Sequence, residues 1–322
     1  MSGETISILA DSNGRAWNFA ETLYNKINNH PHRNRVYNLG KVNIIKFSDK
    51  EIFSEILENC REKICYFIHD SSMHPEDWLV SLAFTNCALM RSSAKEINNV
   101  LPYMKFARQD RMSGPRTPIS SRVVADIINL RASRILTADL HNPASMSNYN
   151  IPFDNLNAYP VIIKHLKKNY KEELKNSVIV APDVGSAKRG ESYSKRLGLN
   201  LAVFYKTREK AGVVGEMKII GDVKDKIAFI VDEMIDTAGT LCKASEVLKE
   251  KGAKKIYACA THGIFSNNAK EKLDNSCLEK IIITDSIPQQ VNGKIEIVTL
   301  TDLFAETIHR ISHGLSVSEL FK

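Results

Sequence analysis

Cysteine is scarce in this chain: six in 322 residues (Cys60, Cys65, Cys87, Cys242, Cys259 and Cys277), with no CxxC pair. That density excludes a disulfide-stapled scaffold and fits reduced thiols in a cytoplasmic protein. No apolar run approaches the roughly 20 residues of a membrane-spanning helix, which argues against a membrane partner. The N-terminus has no basic-then-apolar signal pattern. Low-complexity tracts are absent as well. Excess charge is modest, +7 spread along the chain; it suits small anionic substrates and calls for no nucleic-acid partner.

What is present is an ordinary globular composition, 43% hydrophobic and 25% charged. Short apolar, β-branched runs alternate with stretches of helical spacing. Strands are predicted at 5–10, 42–47, 64–69, 97–103, 134–141, 177–181, 201–206, 227–231, 255–260, 280–283 and 295–298. Asn28 to Lys41, with Pro31 and Gly40, reads as a polar loop. Such alternation implies an α/β protein with mostly parallel sheets flanked by helices.

One stretch organises the rest, IAFIVDEMIDTAGTL at 227–241. An apolar strand runs to Val231 and stops at Asp232 and Glu233. Asp236, Thr237, Ala238, Gly239 and Thr240 form a tight turn, and a helical pattern starts at Leu241. Unpaired N–H groups and the positive dipole end of such a helix suit a phosphate. The two acids suit sugar hydroxyls or hydrated Mg²⁺. The same pattern is equally that of an ordinary βα unit with Thr237 or Asp236 as its N-cap. The turn has neither the lysine of a Walker A loop nor the spaced glycines of a dinucleotide fingerprint.

Other strand ends carry polar groups. Ser48, Asp49, Lys50 and Glu51 follow the 42–47 strand. Arg108, Gln109, Asp110 and Arg111 lie beyond 97–103, where guanidinium forks could clamp a polyanion or simply be solvated. Asp139 and His141 end the strand at 134–141, at the edge where ligands bind in open α/β folds. Strand, acid and turn at 134–141 echo 228–240, hinting at duplication, with Asn142 to Asn150 in place of a phosphate turn. Thr207 to Glu216 reads as a mobile loop.

Taken in order, FSDKE (47–51), ARQDR (107–111), TADLH (137–141), IPFDNLNAYP (151–160), PDVGSAKR (182–189), KTRE (206–209), GDVKDK (221–226), VDEMIDTAGT (231–240) and THGIFS (261–266) resemble the ribose-phosphate pyrophosphokinase family over nearly the whole chain. The resemblance implies two phosphoribosyltransferase-like domains. Residues 1–156 would carry the ATP-side loops and a degenerate phosphate loop. Residues 157–322 would carry the ribose 5-phosphate loop, with the last helix able to pack back on the first domain. It implies transfer of the β,γ-diphosphate of ATP to the C1 hydroxyl of ribose 5-phosphate, giving phosphoribosyl pyrophosphate and AMP, with Mg²⁺ as cofactor. It places Arg108, Gln109 and Asp110 at ATP, with Phe47, Asp49 and Glu51 reaching the adenine from a neighbouring subunit. His141 lies near the ATP phosphates, and His141, Asp139 and Asp183 fall on the metal side. Lys206 and Arg208, with His141, are the implied catalytic groups. Asp232 and Glu233 take the ribose hydroxyls, and Asp236, Thr237, Ala238, Gly239 and Thr240 the 5-phosphate. A dimer-based homo-oligomer, with a hexamer expected, follows from the same likeness.

Departures from the family pattern are few at these positions. Glu233 replaces a second Asp, Ser186 stands where Gly is usual, and Asp49 stands where Asn is common; ionised, it can only accept hydrogen bonds. Met112 to Pro115 is less basic than usual, and Asn142 to Asn150 lacks the family's Gln and Phe-Phe features, which puts phosphate activation and ADP inhibition in question. The alternative is a non-catalytic associated subunit of the same family. Such proteins carry damaged motifs or insertions; here the motifs stand.

Overall fold

The computed structural model describes residues 5–32, 34–206, 217–291 and 293–321, excluding the side chain of Lys206. The chain divides into two compact units. One comprises Met1–Asn157, Ser286–Pro288 and Leu300–Lys322, the other Ala158–Asp285 and Gln289–Thr299.

The first unit contains β1 (Thr5–Asp11), α1 (Trp17–Asn28), β2 (Val36–Lys46), β3 (Ile52–Ile56), β4 (Ile64–Ile68), α2 (Pro75–Arg91), β5 (Glu96–Leu101), α3 (Ser120–Asn129), β6 (Arg134–Ala138) and β7 (Phe153–Leu156). The second contains α4 (Tyr159–Asn169), α5 (Lys171–Leu174), β8 (Ser177–Ala181), α6 (Ala187–Leu197), β9 (Asn200–Lys206), β10 (Met217–Ile220), β11 (Ile227–Ile235), α7 (Gly239–Glu250), β12 (Lys255–Gly263), α8 (Ala269–Asp274), β13 (Lys280–Thr284) and β14 (Ile295–Val298). The helix α9 (Thr301–Ser312) lies with the first unit.

Among the described residues each unit has a seven-stranded sheet, ordered β3-β2-β1-β4-β5-β6-β7 and β10-β9-β8-β11-β12-β13-β14. The orders are the same with every number raised by seven, so the two units share one topology. Only the edge strands β3 and β10 run antiparallel. The central strands are buried on both faces, as helix-covered parallel sheets require. That is why runs such as SVIVA and IAFIV are continuously apolar rather than alternating.

Two expectations are corrected. Residues 36–41, expected to be loop, are the first half of β2, which pairs with β1 over Val36–Val42; backbone pairing outweighs the polar composition. The internal echo also sits elsewhere. By sheet position the counterpart of β11 is β4, so His69 and Asp70 correspond to Asp232 and Glu233, while β6 corresponds to β13. In the first unit that edge is closed by its own polar groups. Asp70 accepts from Arg15 N–H at 2.8 Å and from the N–H and hydroxyl of Ser72 at 2.8 and 2.6 Å.

In the first unit α9 packs against α1. Phe19 and Phe304 meet edge-on at 5.8 Å, Lys26 pairs with Asp302, and the Tyr37 hydroxyl lies 2.7 Å from that of Ser312. Beside them is a histidine stack. His309 is 3% exposed, with its ring 3.7 Å from His30 and 4.1 Å from His313. Burial first, then the neighbouring His30 and His313, push its pKa down to about 4, against a smaller opposing pull from Glu306. His32 lies on the same side and adds to the depression.

A histidine that stays neutral in the fold but protonates near 6.5 when unfolded costs stability only below that pH. Thermal melts should therefore hold from pH 7.5 to about 6.5 and fall steadily toward pH 4. His309→Phe, which keeps a stacked ring without the proton, should flatten that slope. An equal slope in both proteins would assign the acid sensitivity to other groups.

Candidate active site

Side chains of both sequence-marked acids lie at the carboxyl edge of the second sheet. The strand β11 does not stop at Asp232 but runs through both acids to Ile235, pairing Asp232 with Ala260 and Met234 with His262 of β12. The acids are thus held by a strand rather than a loop, and both are half-buried. Glu233 N–H donates to Asp232 Oδ1 at 2.8 Å. Burial, then the adjacent Glu233 carboxylate, push the Asp232 carboxyl up to about 7. Two carboxylates this close cannot both ionise freely and titrate as a pair.

The opposing charge comes from α6. Arg189, in its first turn, places Nη2 3.3 Å from Glu233 Oε2 and also favours ionisation of Asp232. In the sequence Arg189 stands out only as the last residue of PDVGSAKR. Its place seven residues after Pro182, in a helix launched from the neighbouring strand, was the available signal.

Beyond Ile235 the chain turns through Asp236 and Thr237 into α7. The N-cap is Ala238, at φ +62°, which has no side-chain group to cap the helix. Neither Asp236 nor Thr237 is the N-cap residue. A left-handed alanine costs about 1–2 kcal/mol, so the turn is held against a local preference. Apart from its chain neighbours and its own helix backbone, no atom lies within 4 Å of where a side chain on Gly239 would begin. Gly239 and Thr240 are both exposed at the start of the helix.

Asp183 lies past the end of β8, next to β11 in the sheet. It is exposed, and its Oδ1 accepts from Ser186 N–H at 2.8 Å and from the Ser186 hydroxyl at 3.0 Å. The unusual Ser186 thus fixes the orientation of Asp183. Lys206 is the last residue of β9, and its side chain lies outside the described residues, as does Arg208.

The other marked residues belong to the first unit. Phe47, Asp49 and Glu51 form the exposed turn between β2 and β3, closed by Phe47 N–H to Glu51 C=O at 2.8 Å. Asp49 Oδ1 accepts from Glu51 N–H at 3.1 Å. Arg108, Gln109 and Asp110 follow β5. Gln109 is tied to the start of α3 by Ser121 N–H donating to its carbonyl at 3.1 Å. Asp110 accepts from Asn142 Nδ2 at 2.5 Å, which brings the ARQD loop to the residue after His141. Asp139 is buried at φ +37°, with its N–H on Leu156 C=O at 2.8 Å, while Leu140 N–H donates to Asn155 Oδ1 at 2.9 Å. That strained bend leaves His141 exposed. Among the described residues no three His, Cys, Asp or Glu side chains are grouped to hold a metal.

Comparison with known proteins bears on this geometry. Residues 16–130 match the family model described as the N-terminal domain of ribose phosphate pyrophosphokinase, and residues 208–322 match the phosphoribosyl synthetase-associated domain. A ribose-phosphate pyrophosphokinase of Aquifex aeolicus is 43% identical over 281 residues, covering 86% of this chain and 90% of its own. The chain belongs to the ribose-phosphate pyrophosphokinase family. Its relative from Cereibacter sphaeroides is 41% identical over 90% of this chain and 88% of its own. Among solved structures, the phosphoribosylpyrophosphate synthetase from Mycobacterium smegmatis superposes with a TM-score of 0.85 at 28% identity, covering 97% of this chain and 99% of that one. The two-unit architecture is therefore that of this pyrophosphokinase family.

The Arg189 contact makes a checkable statement. Arg189→Gln should move the titration of the Asp232–Glu233 pair upward, and Glu233→Gln should move that of Asp232 downward. Carboxyl ¹³C shifts followed from pH 4 to 9 read both; an unmoved titration in Arg189→Gln would remove the guanidinium from this account.

Proposed function

We propose that this chain is a ribose-phosphate pyrophosphokinase, moving the β,γ-diphosphate of ATP to the C1 hydroxyl of ribose 5-phosphate and releasing AMP. The observation that carries the reading is the carboxyl edge of the second unit: paired acids shortly before a helix whose N-cap is a left-handed alanine, with open space beside Gly239. The relatives at 40–43% identity, all named ribose-phosphate pyrophosphokinase, support catalysis over a non-catalytic associated subunit.

Each part has a physical role. The N–H groups of the Asp236 to Thr240 turn take the 5-phosphate, as a helix N-terminus favours an anion. Asp232 and Glu233 accept from the ribose hydroxyls, and Arg189 keeps enough negative charge on the pair for them to do so. Arg108, Gln109 and Asp110 receive ATP beside His141. Lys206 and Arg208 supply positive charge to the transferring phosphates. Displacement at phosphorus needs alignment and charge neutralisation more than covalent help. The residues also fit Mg²⁺. An exposed carboxylate at Asp183, with one oxygen already oriented, suits an ion that keeps waters and meets one or two carboxylates plus substrate phosphates, and such an ion needs no cage. Bound there, it would neutralise phosphate charge; Asp139 and His141 serve the ATP side.

Assembly belongs to the same proposal. Phe47 and Phe53 are 47% and 41% exposed on the β2–β3 hairpin, their rings 5.8 Å apart, with Ile45 exposed opposite Phe53 in the ladder. An apolar patch of this kind supports a subunit contact through which Phe47, Asp49 and Glu51 serve a neighbour's adenine, in a dimer-based hexamer. Reduced cysteines and no described helix long and apolar enough to cross a membrane fit a cytoplasmic enzyme.

³¹P NMR of the protein with ATP, ribose 5-phosphate and Mg²⁺ should show AMP and phosphoribosyl pyrophosphate in equal amounts. ADP with ribose 1,5-bisphosphate would overturn diphosphoryl transfer. Lys206→Ala should lower kcat by about 10²-fold or more, the size of one transition-state charge contact, with ribose 5-phosphate affinity unchanged. A near-normal kcat would remove Lys206 from the mechanism. Mixing Arg108→Ala and Phe47→Ala proteins should restore part of the activity in hybrids; activity in a strict monomer would overturn the shared site.

A further inference from the structure

The second sheet has another concavity, at the opposite end from the acids and the phosphate turn. It is a cleft of about 500 Å³ lined by Asn169, Tyr170, Tyr257, Glu279, Lys280 and Glu296. Tyr257 lies near the start of β12, Lys280 and Glu296 at the starts of β13 and β14, and Asn169 and Tyr170 end α4. The amino ends of three neighbouring strands thus form its wall, and the registers Tyr257–Lys280 and Ile282–Glu296 hold them side by side.

Its floor is aromatic and buried. Tyr170 and Tyr257 are 8% and 5% exposed, meet edge-on at 5.3 Å, and rest on Phe229, which stacks on Tyr257 at 4.9 Å. The Tyr170 hydroxyl donates to Glu296 Oε2 at 2.5 Å, and the other oxygen of Glu296 lies 2.7 Å from His165 Nε2. Those groups are saturated. The Tyr257 hydroxyl is not: it lines the cleft and has no hydrogen-bond partner among the described residues. Its pKa is raised by burial and by the carboxylates of Glu173 and Glu279, which puts negative potential at that oxygen. Glu279 and Lys280 are exposed on the rim, and among the described residues neither is in an ion pair.

Two glutamates against one lysine, over two phenol rings, form a chemistry that selects a cation with an apolar stem. Aromatic faces attract organic ammonium groups, and a carboxylate rim adds charge without burying the ion completely. We propose that this cleft binds an aliphatic ammonium compound, its N–H groups donating to Glu279 and to the Tyr257 hydroxyl and its methylene stem lying against Tyr170. Lys280 is the internal competitor, since its own ammonium can reach the same carboxylates. The inference does not depend on the catalytic reading, because no residue of the cleft belongs to that machinery.

Equilibrium dialysis of the full chain with radiolabelled putrescine at low salt is the test. Saturable binding of one putrescine per chain is expected. Tyr257→Phe and Glu279→Gln should each weaken it by about three- to tenfold, the worth of one hydrogen bond or one partly exposed ion pair. Lys280→Ala should tighten it. Circular dichroism of each variant and unchanged release of AMP show that the fold and the other edge are intact. Absence of saturable binding up to about 10 mM, weaker than any useful site, would overturn the proposal. So would binding that survives both Tyr257→Phe and Glu279→Gln, or displacement of putrescine by glycine at equal concentration, which would mark a zwitterion site instead.

Discussion

Two carboxylates at the end of a buried strand are the constraint on which the second unit's working edge depends. Placing Asp232 and Glu233 side by side in β11 sets charge repulsion and burial against ionisation, and Asp232 accordingly resists losing its proton. The fold answers that repulsion with a counter-charge. Arg189 is that charge, and it can reach Glu233 because β8 and β11 are adjacent in the sheet and α6 starts directly beyond β8. The same crossover positions Asp183. One piece of topology therefore sets the paired acids, their counter-ion and the exposed carboxylate together.

The shared strand order of the two units lets their central edges be compared position by position. At the position of β11 the first unit has β4, and after it His69 and Asp70 are consumed by internal contacts. His69 is buried, bonded to Trp78 C=O at 2.9 Å, and burial pushes its pKa down to about 4. Asp70 is filled by Arg15 and Ser72. The first sheet instead exposes groups from neighbouring strand ends, with Asp110 and Asn142 joining the loops after β5 and β6. One sheet keeps its central turn open; the other has closed it and moved its polar groups along the edge.

Much of this was legible in the sequence because parallel strands buried on both faces leave unbroken apolar runs that end abruptly in polar residues. SVIVA, IAFIV and ICYFI read as strands for that reason, and the marked acids fell at their ends. Other features were hidden for physical reasons. Half of β2 reads as loop because VYNLGK mixes polar residues into a strand near the sheet's edge, where one face tolerates them. The extension of β11 through Asp232 and Glu233 was concealed because acids rarely continue a strand. Arg189 could not be paired with Glu233 from spacing, since the two are 44 residues apart and meet only through the parallel crossover. The true counterpart of the central turn was masked because sequence likeness favoured Asp139 and His141, whereas sheet order selects His69 and Asp70.

The central claim is that the Asp232–Glu233 pair must be ionised to receive the sugar hydroxyls. It is tested most directly by calorimetric titration of ribose 5-phosphate at pH 7 to 8, in buffers of different ionisation enthalpy. That window lies above the phosphate's own second pKa of about 6. The account predicts proton release on binding in the native chain, fading toward pH 8, and none with Asp232→Asn. Proton release that is equal in the two proteins, or absent from the native chain throughout, would contradict it.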